Sequence, residues 1–353
     1  MTLPEPSAEA SRAAAARQDR LTKPRGSLGR LESLVVRLAG IQDRELPTAR
    51  PAFALLFAAD HPVTKHGVSA YPAEVTAAML ANFAGGGAAA SVACRHLTID
   101  LRVFDVGVNG TKSIAAPNAG VFHRVSATAS ASVFALAERV DAGDLRRESA
   151  LSPDALERCL QAGADAVRNL ENPRVVILGE MGIGNTTAAA TLAASLLGGN
   201  ASDFVGAGTG ISAEQLRQKR SVVADALARV SPTSPREALR EFGGREIAAM
   251  VGAAREAAAR RAVILVDGYI VSAAMLALCR MVPEVRSSLV FAHRSREPGH
   301  QAVLRALNAA PLLDLDFALW EGTGALAAFP LLEQACVWHA EMATFDEAGV
   351  PDR

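Results

Sequence analysis

Five short apolar runs constrain the fold of this chain more than any other feature: Ala52–Ala59, Ile99–Val106, Val175–Leu178, Val263–Val266 and Leu289–Ala292. Each is too short for a buried helix and ends in a Gly, Asp or His turn, so each reads as a buried strand. An Ala-rich stretch of helical character follows each turn. Strands alternating with helices form βαβ units, which predicts an α/β fold with a mainly parallel, Rossmann-like sheet and helices on both faces. Ligands of such sheets bind beyond the carboxyl ends of the strands, so chemistry is expected just after the apolar runs.

The two ends of the chain differ from the middle. Residues 7–46 and 319–345 carry helical periodicity without strand runs. The segment LWEGTGALAAFPLLEQACVWHAEMATF reads as one helix entered through a Gly-Thr-Gly turn, with Pro330 kinking or restarting it. The expectation is a large α/β domain over 48–318, with a small helical domain made from 1–47 and 319–353.

Composition narrows the function class. Half of the 353 residues are hydrophobic, 21% are charged and the net charge is -1, which leaves no electrostatic footprint for nucleic acid or an anionic membrane. The first residues hold no continuous apolar core of a secretory signal, and no window holds 18 uncharged apolar residues in a row. Cys94, Cys159, Cys279 and Cys336 are far apart and form no CxxC pair, which argues against a zinc ribbon or a disulfide framework. A cytoplasmic protein acting on small molecules is the expectation.

After the third run comes Gly179-Glu180-Met181-Gly182-Ile183-Gly184-Asn185-Thr186-Thr187, leading into an Ala-rich helix. Glycines allow close backbone approach, and a helix N-terminus offers unpaired N–H groups, so phosphate is the natural guest. Asn185 stands where a Walker A loop requires Lys, which excludes an NTPase loop. The bland alternative is a tight turn with Asn185 or Thr186 as helix cap. Glu180 beside the anion site favours function, and Gly182, Gly184, Asn185 and Thr186 are binding candidates.

A second cluster, Gly206-Ala207-Gly208-Thr209-Gly210, precedes a helix containing Lys219. It lacks the position and the following acid of a dinucleotide fingerprint, and a loop without ligand is equally consistent with it. His61 and His66 follow the first run, but they lack helical ligand spacing and Pro62 marks a loop, so a metal site is not expected. Ser295, between Arg294 and Arg296, suits a phosphate better than zinc, although the arginines also read as solvated charges.

Glu321 follows Leu319-Trp320 and precedes Gly322-Thr323-Gly324. A carboxylate held against apolar neighbours has a raised pKa, which suits a base working near neutral pH. An ordinary first-turn Glu complementing a helix dipole fits the same pattern, and pattern alone leaves both open.

Taken in order, these segments resemble the nicotinate-nucleotide–dimethylbenzimidazole phosphoribosyltransferase family. The resemblance runs from Lys23-Pro24-Arg25-Gly26-Ser27-Leu28-Gly29-Arg30-Leu31-Glu32, through Asp60-His61 to Pro72, Gly179–Thr187 and Lys219. It continues through Gly243-Gly244 and Asp267-Gly268 to Glu321-Gly322-Thr323-Gly324-Ala325. It implies transfer of ribose phosphate from nicotinate mononucleotide to an aromatic base, with inversion from the β to the α anomer. It also implies Glu321 as general base, with Glu180 stabilising charge on the ribose and Lys219 holding a phosphate or carboxylate. No cofactor is implied. A homodimer is, with the partner's N-terminal region approaching the site.

The chain departs from the family in places. Many relatives carry Arg-Leu-Gly before the catalytic Glu, where Ala318-Leu319-Trp320 stands here, and Pro62 replaces a common Gly. Tyr71 and Met79 stand where some relatives carry small or polar residues at the base. Tyr71, Met79, Leu319, Trp320 and Gly322 are therefore counted with the binding candidates. The acceptor stays open between adenine, a plain or substituted benzimidazole and a phenol, and Trp320 either closes over it or packs in the core. A nucleotide-binding regulator on a non-catalytic transferase scaffold is the alternative.

Overall fold

The computed structural model of the chain describes residues 2–110, 122–127, 131–136, 138–208 and 210–351. Thr209 of the second glycine cluster lies outside the described residues.

Seven strands form one sheet: β1 (Ala52–Ala58), β2 (Asp100–Asp105), β3 (Phe122–Ala127), β4 (Ser132–Leu136), β5 (Val175–Met181), β6 (Val263–Val266) and β7 (Leu289–Phe291). Their order is β3-β4-β2-β1-β5-β6-β7. Every neighbouring pair is parallel except β3 with β4. From β1 the chain winds outward through β2 to the β3–β4 edge, then returns to add β5, β6 and β7 on the other flank. The winding therefore reverses between β1 and β5, and a crevice opens at the carboxyl ends of strands where that happens.

The apolar runs form strands because both of their faces are covered. Phe53, Leu55 and Phe57 join one buried cluster, while Ala54, Leu56 and Ala58 join another. Alternate side chains of a strand point to opposite faces, so the two clusters are the two sides of the sheet. Helices Pro153–Arg168, Asn185–Leu197, Arg245–Ala259 and Tyr269–Met281 supply the first cluster. Helices Arg30–Gln42, Ala89–Leu97 and Thr323–Glu341 supply the second.

The chain ends meet on this second side. Arg17 Nε donates to the His339 carbonyl at 2.7 Å, Gln18 pairs with the His339 ring at 2.8 Å, and Leu21 bridges to Thr344. Pro330 neither ends nor restarts its helix, which runs unbroken from Thr323 to Glu341.

Three local details differ from the reading of the sequence. The β3–β4 pair is not foreseen by pattern, because FHRVSA mixes polar and apolar residues without a clear run. Strand β5 extends to Met181, because Gly179, Glu180 and Met181 pair in register with Leu56, Phe57 and Ala58 of β1. Residues Pro62–His66 form a 3-10 turn rather than an open loop, and proline's fixed φ suits its first position. One stretch, Val75–Leu97, is long and apolar enough by composition to cross a membrane. It folds as two helices, Val75–Gly85 and Ala89–Leu97, with Gly86 left-handed after the first.

Candidate active site

A cavity of about 450 Å³ opens where the winding reverses, lined by residues from the ends of β5 and the loops around it. Glu180, Gly182, Gly184, Asn185, Thr186, Lys219, Tyr71, Met79, Leu319, Trp320 and Glu321 all line it. The fold thus brings together side chains and glycines that lie far apart in sequence. Two further candidates do not line it. Gly322 caps the helix behind Glu321, and Ser295 sits on a separate contact with His300.

Glu321 is not a first-turn residue. It precedes the cap Gly322, and both take left-handed backbone angles, with φ of 68° and 78°. Left-handed geometry is uncommon outside glycine, so Glu321 is held there by its surroundings. The hold is visible in backbone contacts. Asp267, just past β6, accepts the Gly322 N–H at 3.1 Å and the Ala325 N–H at 2.9 Å. A Cβ on Gly179 would come within 2.8 Å of the Glu321 carbonyl group, and one on Gly324 within 2.0 Å of the His293 ring. Two bare glycines therefore let the turn seat against β5 and β7.

The carboxyls of this region crowd one another. Burial, with repulsion from Asp267 added, pushes the Glu321 carboxyl up to about 7. Glu180 is 2% exposed. Burial first, then the charges of Glu246, Asp267 and Glu321, raises it well above the usual carboxylate range, against a hydrogen bond from Asn185. Asn185 Nδ2 donates to Glu180 Oε2 in a short hydrogen bond, while Glu180 Oε1 has no partner among the described residues. Burial and the neighbouring carboxyls therefore favour the protonated form of Glu180. Asn185 is not a cap either, since Gly184 at φ 97° takes that place and frees the amide for Glu180.

Another part of the cavity lining suits an anion. Lys219, 1% exposed, donates to Thr186 Oγ1 at 2.8 Å and to the Gly206 carbonyl at 3.3 Å. Burial pulls its ammonium down to about 8, against the attraction of Glu297. Gly208 lies under the ammonium, where a Cβ would stand 3.5 Å from Nζ, and its N–H is held by Glu297 Oε1 at 3.0 Å. A cation, a threonine hydroxyl and the start of the helix Asn185–Leu197 thus converge, which is the donor set a phosphate needs. The rest of the lining includes apolar or flat side chains: Val75, Met79, Ile183, Ile211, Leu319, Tyr71 and Trp320. Trp320 lines the cavity and also packs against the core.

The histidines have other partners. His61 pairs with Glu246 at 2.7 Å and His66 with Asp144 at 2.8 Å, so the two face different carboxylates. Among the described residues no group of three or more His, Cys, Asp or Glu is arranged to hold a metal ion. Arg294 pairs with Asp314 at 2.6 Å on the surface. The Ser295 N–H donates to His300 Nδ1 at 3.0 Å, so the His300 proton sits on Nε2 and faces Ser272. Burial, then repulsion from His293, lowers His300 to about 3 and keeps that ring neutral.

Three residues that hold the site have no role legible in the sequence: Asp267, Glu246 and Glu297. Asp267 is marked only by its place at a strand end and by Asp267-Gly268 being one segment of the family resemblance, and neither gives it a role.

The chain matches the family model described as Phosphoribosyltransferase over residues 3–350. A Pseudomonas aeruginosa (strain LESB58) protein named nicotinate-nucleotide–dimethylbenzimidazole phosphoribosyltransferase is 48% identical over 346 residues, covering 97% of this chain and 94% of that protein. A Bradyrhizobium sp. (strain BTAi1) protein of the same name is 46% identical over 351 residues, covering 99% and 96%. Among solved structures, CobT from Thermus thermophilus superposes with a TM-score of 0.88 at 42% identity, covering 98% of this chain and 100% of that one. The buried carboxyls, the lysine-and-helix anion wall and these matches along nearly the whole length agree: the chain belongs to the nicotinate-nucleotide–dimethylbenzimidazole phosphoribosyltransferase family.

Proposed function

We propose that this phosphoribosyltransferase moves ribose 5-phosphate from nicotinate mononucleotide to 5,6-dimethylbenzimidazole or a related flat base. The products are nicotinate and α-ribazole 5'-phosphate, the nucleotide of the lower ligand of cobalamin. The observation that carries the reading is a single cavity with Glu321 near neutrality on one wall and Lys219 with Thr186 on another.

The chemistry follows from those groups. Nicotinate leaves C1′ readily because its ring nitrogen is cationic in the nucleotide. Glu321 takes the N–H proton of the incoming base while the base's other nitrogen attacks the opposite face of the sugar, which inverts the anomer. General base catalysis of this kind is worth about 10²–10⁴-fold, and positioning supplies much of the rest. Lys219, Thr186 and the glycine turn hold the phosphate. Glu180, whose burial favours the protonated form and whose Oε1 has no partner among the described residues, is suited to hydrogen-bond the sugar or the leaving base. The apolar wall of Tyr71, Met79 and Trp320 receives the flat acceptor. No pyrophosphate leaves, so the chemistry requires no metal cofactor.

The reading includes a cytoplasmic homodimer. The family resemblance supports the dimer, and four unpaired cysteines suit a reducing compartment.

The direct test is to incubate the protein with nicotinate mononucleotide and dimethylbenzimidazole and follow the products by NMR. Release of nicotinate with an α-anomeric ribotide is expected. Release without added base, or none with any base of an aromatic panel, contradicts the proposal. Lys219→Met should raise KM for the mononucleotide by roughly 10–150-fold, the worth of a charged hydrogen bond. The ammonium is charged below about 8, so in the unmodified protein this KM should rise as pH climbs through that value. Steady-state kinetics across that range should show the rise, and the Met variant should lack it.

A further inference from the structure

The Gly322 cap has no side chain, yet its helix is capped, because a carboxylate just past β6 takes the part. Asp267 Oδ2 accepts from Gly322 and Oδ1 from Ala325, so one carboxylate spans the turn on which Glu321 sits. Capping needs only an acceptor, and a neutral Asn or Ser would supply one. A full negative charge, 1% exposed and close to Glu180 and Glu321, is electrostatically unfavourable for the fold. The nearest basic group, His293, has Nε2 3.4 Å from Asp267 Oδ1 without making a hydrogen bond. A charge kept where a dipole would suffice has a use beyond the cap.

We propose that Asp267 is a positioning residue of the transfer: its carboxylate clamps the turn that aims Glu321 into the cavity and keeps a negative charge beside that base. This rests on Glu321 being the base. The titratable groups around this turn come from several elements. Glu180 from β5 and Lys219 from the helix Ala213–Arg229 line the same cavity as Glu321, and Asp267 after β6 repels it. His293 after β7 lies against Asp267 and Gly324, and Glu246 from the helix Arg245–Ala259 acts on Glu180. Of these, Asp267 alone both bonds the turn and repels the carboxylate. Repulsion disfavours the ionised form, so the base binds its proton at higher pH and is the stronger for it.

Two variants separate charge from position. Asp267→Asn keeps an acceptor for one N–H and removes the charge. The acid limb of its kcat/KM profile should move down by about one pH unit or more, with KM for the mononucleotide changed less than about threefold. Asp267→Glu keeps the charge and lengthens the side chain, so its limb should stay near the wild-type value while kcat falls roughly 10²-fold from a displaced turn. Thermal unfolding of both identifies the folded temperature range for the comparison, and either variant decides alone if the other does not fold. An unmoved limb in Asp267→Asn, or wild-type kcat in Asp267→Glu, overturns the inference. Glu321→Gln is the control: if it turns over normally, the base assignment has failed, whereas if it is inactive a silent Asp267 fails on its own account.

Discussion

Glu321→Gln is expected to lower kcat by about 10²–10⁴-fold while leaving the fold intact, because the amide has the shape of the carboxyl but takes no proton. The same substitution should change stability in a direction set by linkage. The folded Glu321 carboxyl is raised from the ordinary 4.5 to about 7, so between those values the native state holds a proton that the unfolded chain has released. Its contribution to stability is present below about pH 4.5 and is lost as pH rises through about 7. The Gln variant is neutral throughout. It should match the parent near pH 4.5 and exceed it above pH 7, by at most about 3 kcal/mol. Thermal unfolding at both pH values, run beside the nicotinate-release assay, tests the two effects together. A fully active variant removes Glu321 from the mechanism. An inactive variant with no gain in Tm at high pH leaves the base but not the buried, repelled carboxyl described here.

Gly179→Ala is expected to be nearly as damaging, although residue 179 has no side chain to contribute to chemistry. The added methyl group would sit 2.8 Å from the Glu321 carbonyl carbon and oxygen and 2.9 Å from the Gly322 nitrogen. All three are backbone atoms, and β5 is pinned between β1 and β6. The strand cannot retreat, so the turn must move, and Glu321 moves with it. Displacement of a catalytic group by about an ångström costs on the order of 10²-fold in kcat, and forced repacking of this kind costs about 1–3 kcal/mol. Gly85→Ala is the matching control. A Cβ there meets nothing within 4 Å, so activity should be unchanged and stability equal or slightly higher. Kinetics and urea unfolding of the pair check this. Equal behaviour of the two would mean that the 179–321 contact is slack and does not locate the base.

The sheet is legible in the sequence because burial on both faces demands unbroken apolar runs. Ala52–Ala58, Val263–Val266 and Leu289–Phe291 are such runs and nothing else. The β3–β4 edge is not legible, since edge strands need only part of that pattern. Glu180 shows itself as a charge beside glycines, but its place inside β5, and hence its burial, depends on pairing with β1. Lys219 gives no sign of being buried, because a lysine in a helix reads as solvated until Thr186 and the Gly206 carbonyl are brought to it.

By itself the sequence determined a parallel α/β sheet, glycine turns at its strand ends and the set of residues from which a site can be built. Only the tertiary structure decided that Glu321 stands ahead of its helix in a left-handed turn, clamped by Asp267 and seated on Gly179. Local pattern reports what a residue prefers within a few neighbours along the chain. The proton affinity of a carboxyl depends on the solvent it loses and the charges it meets, and here the charge that Glu321 meets lies beyond β6, on a residue far from it in the chain.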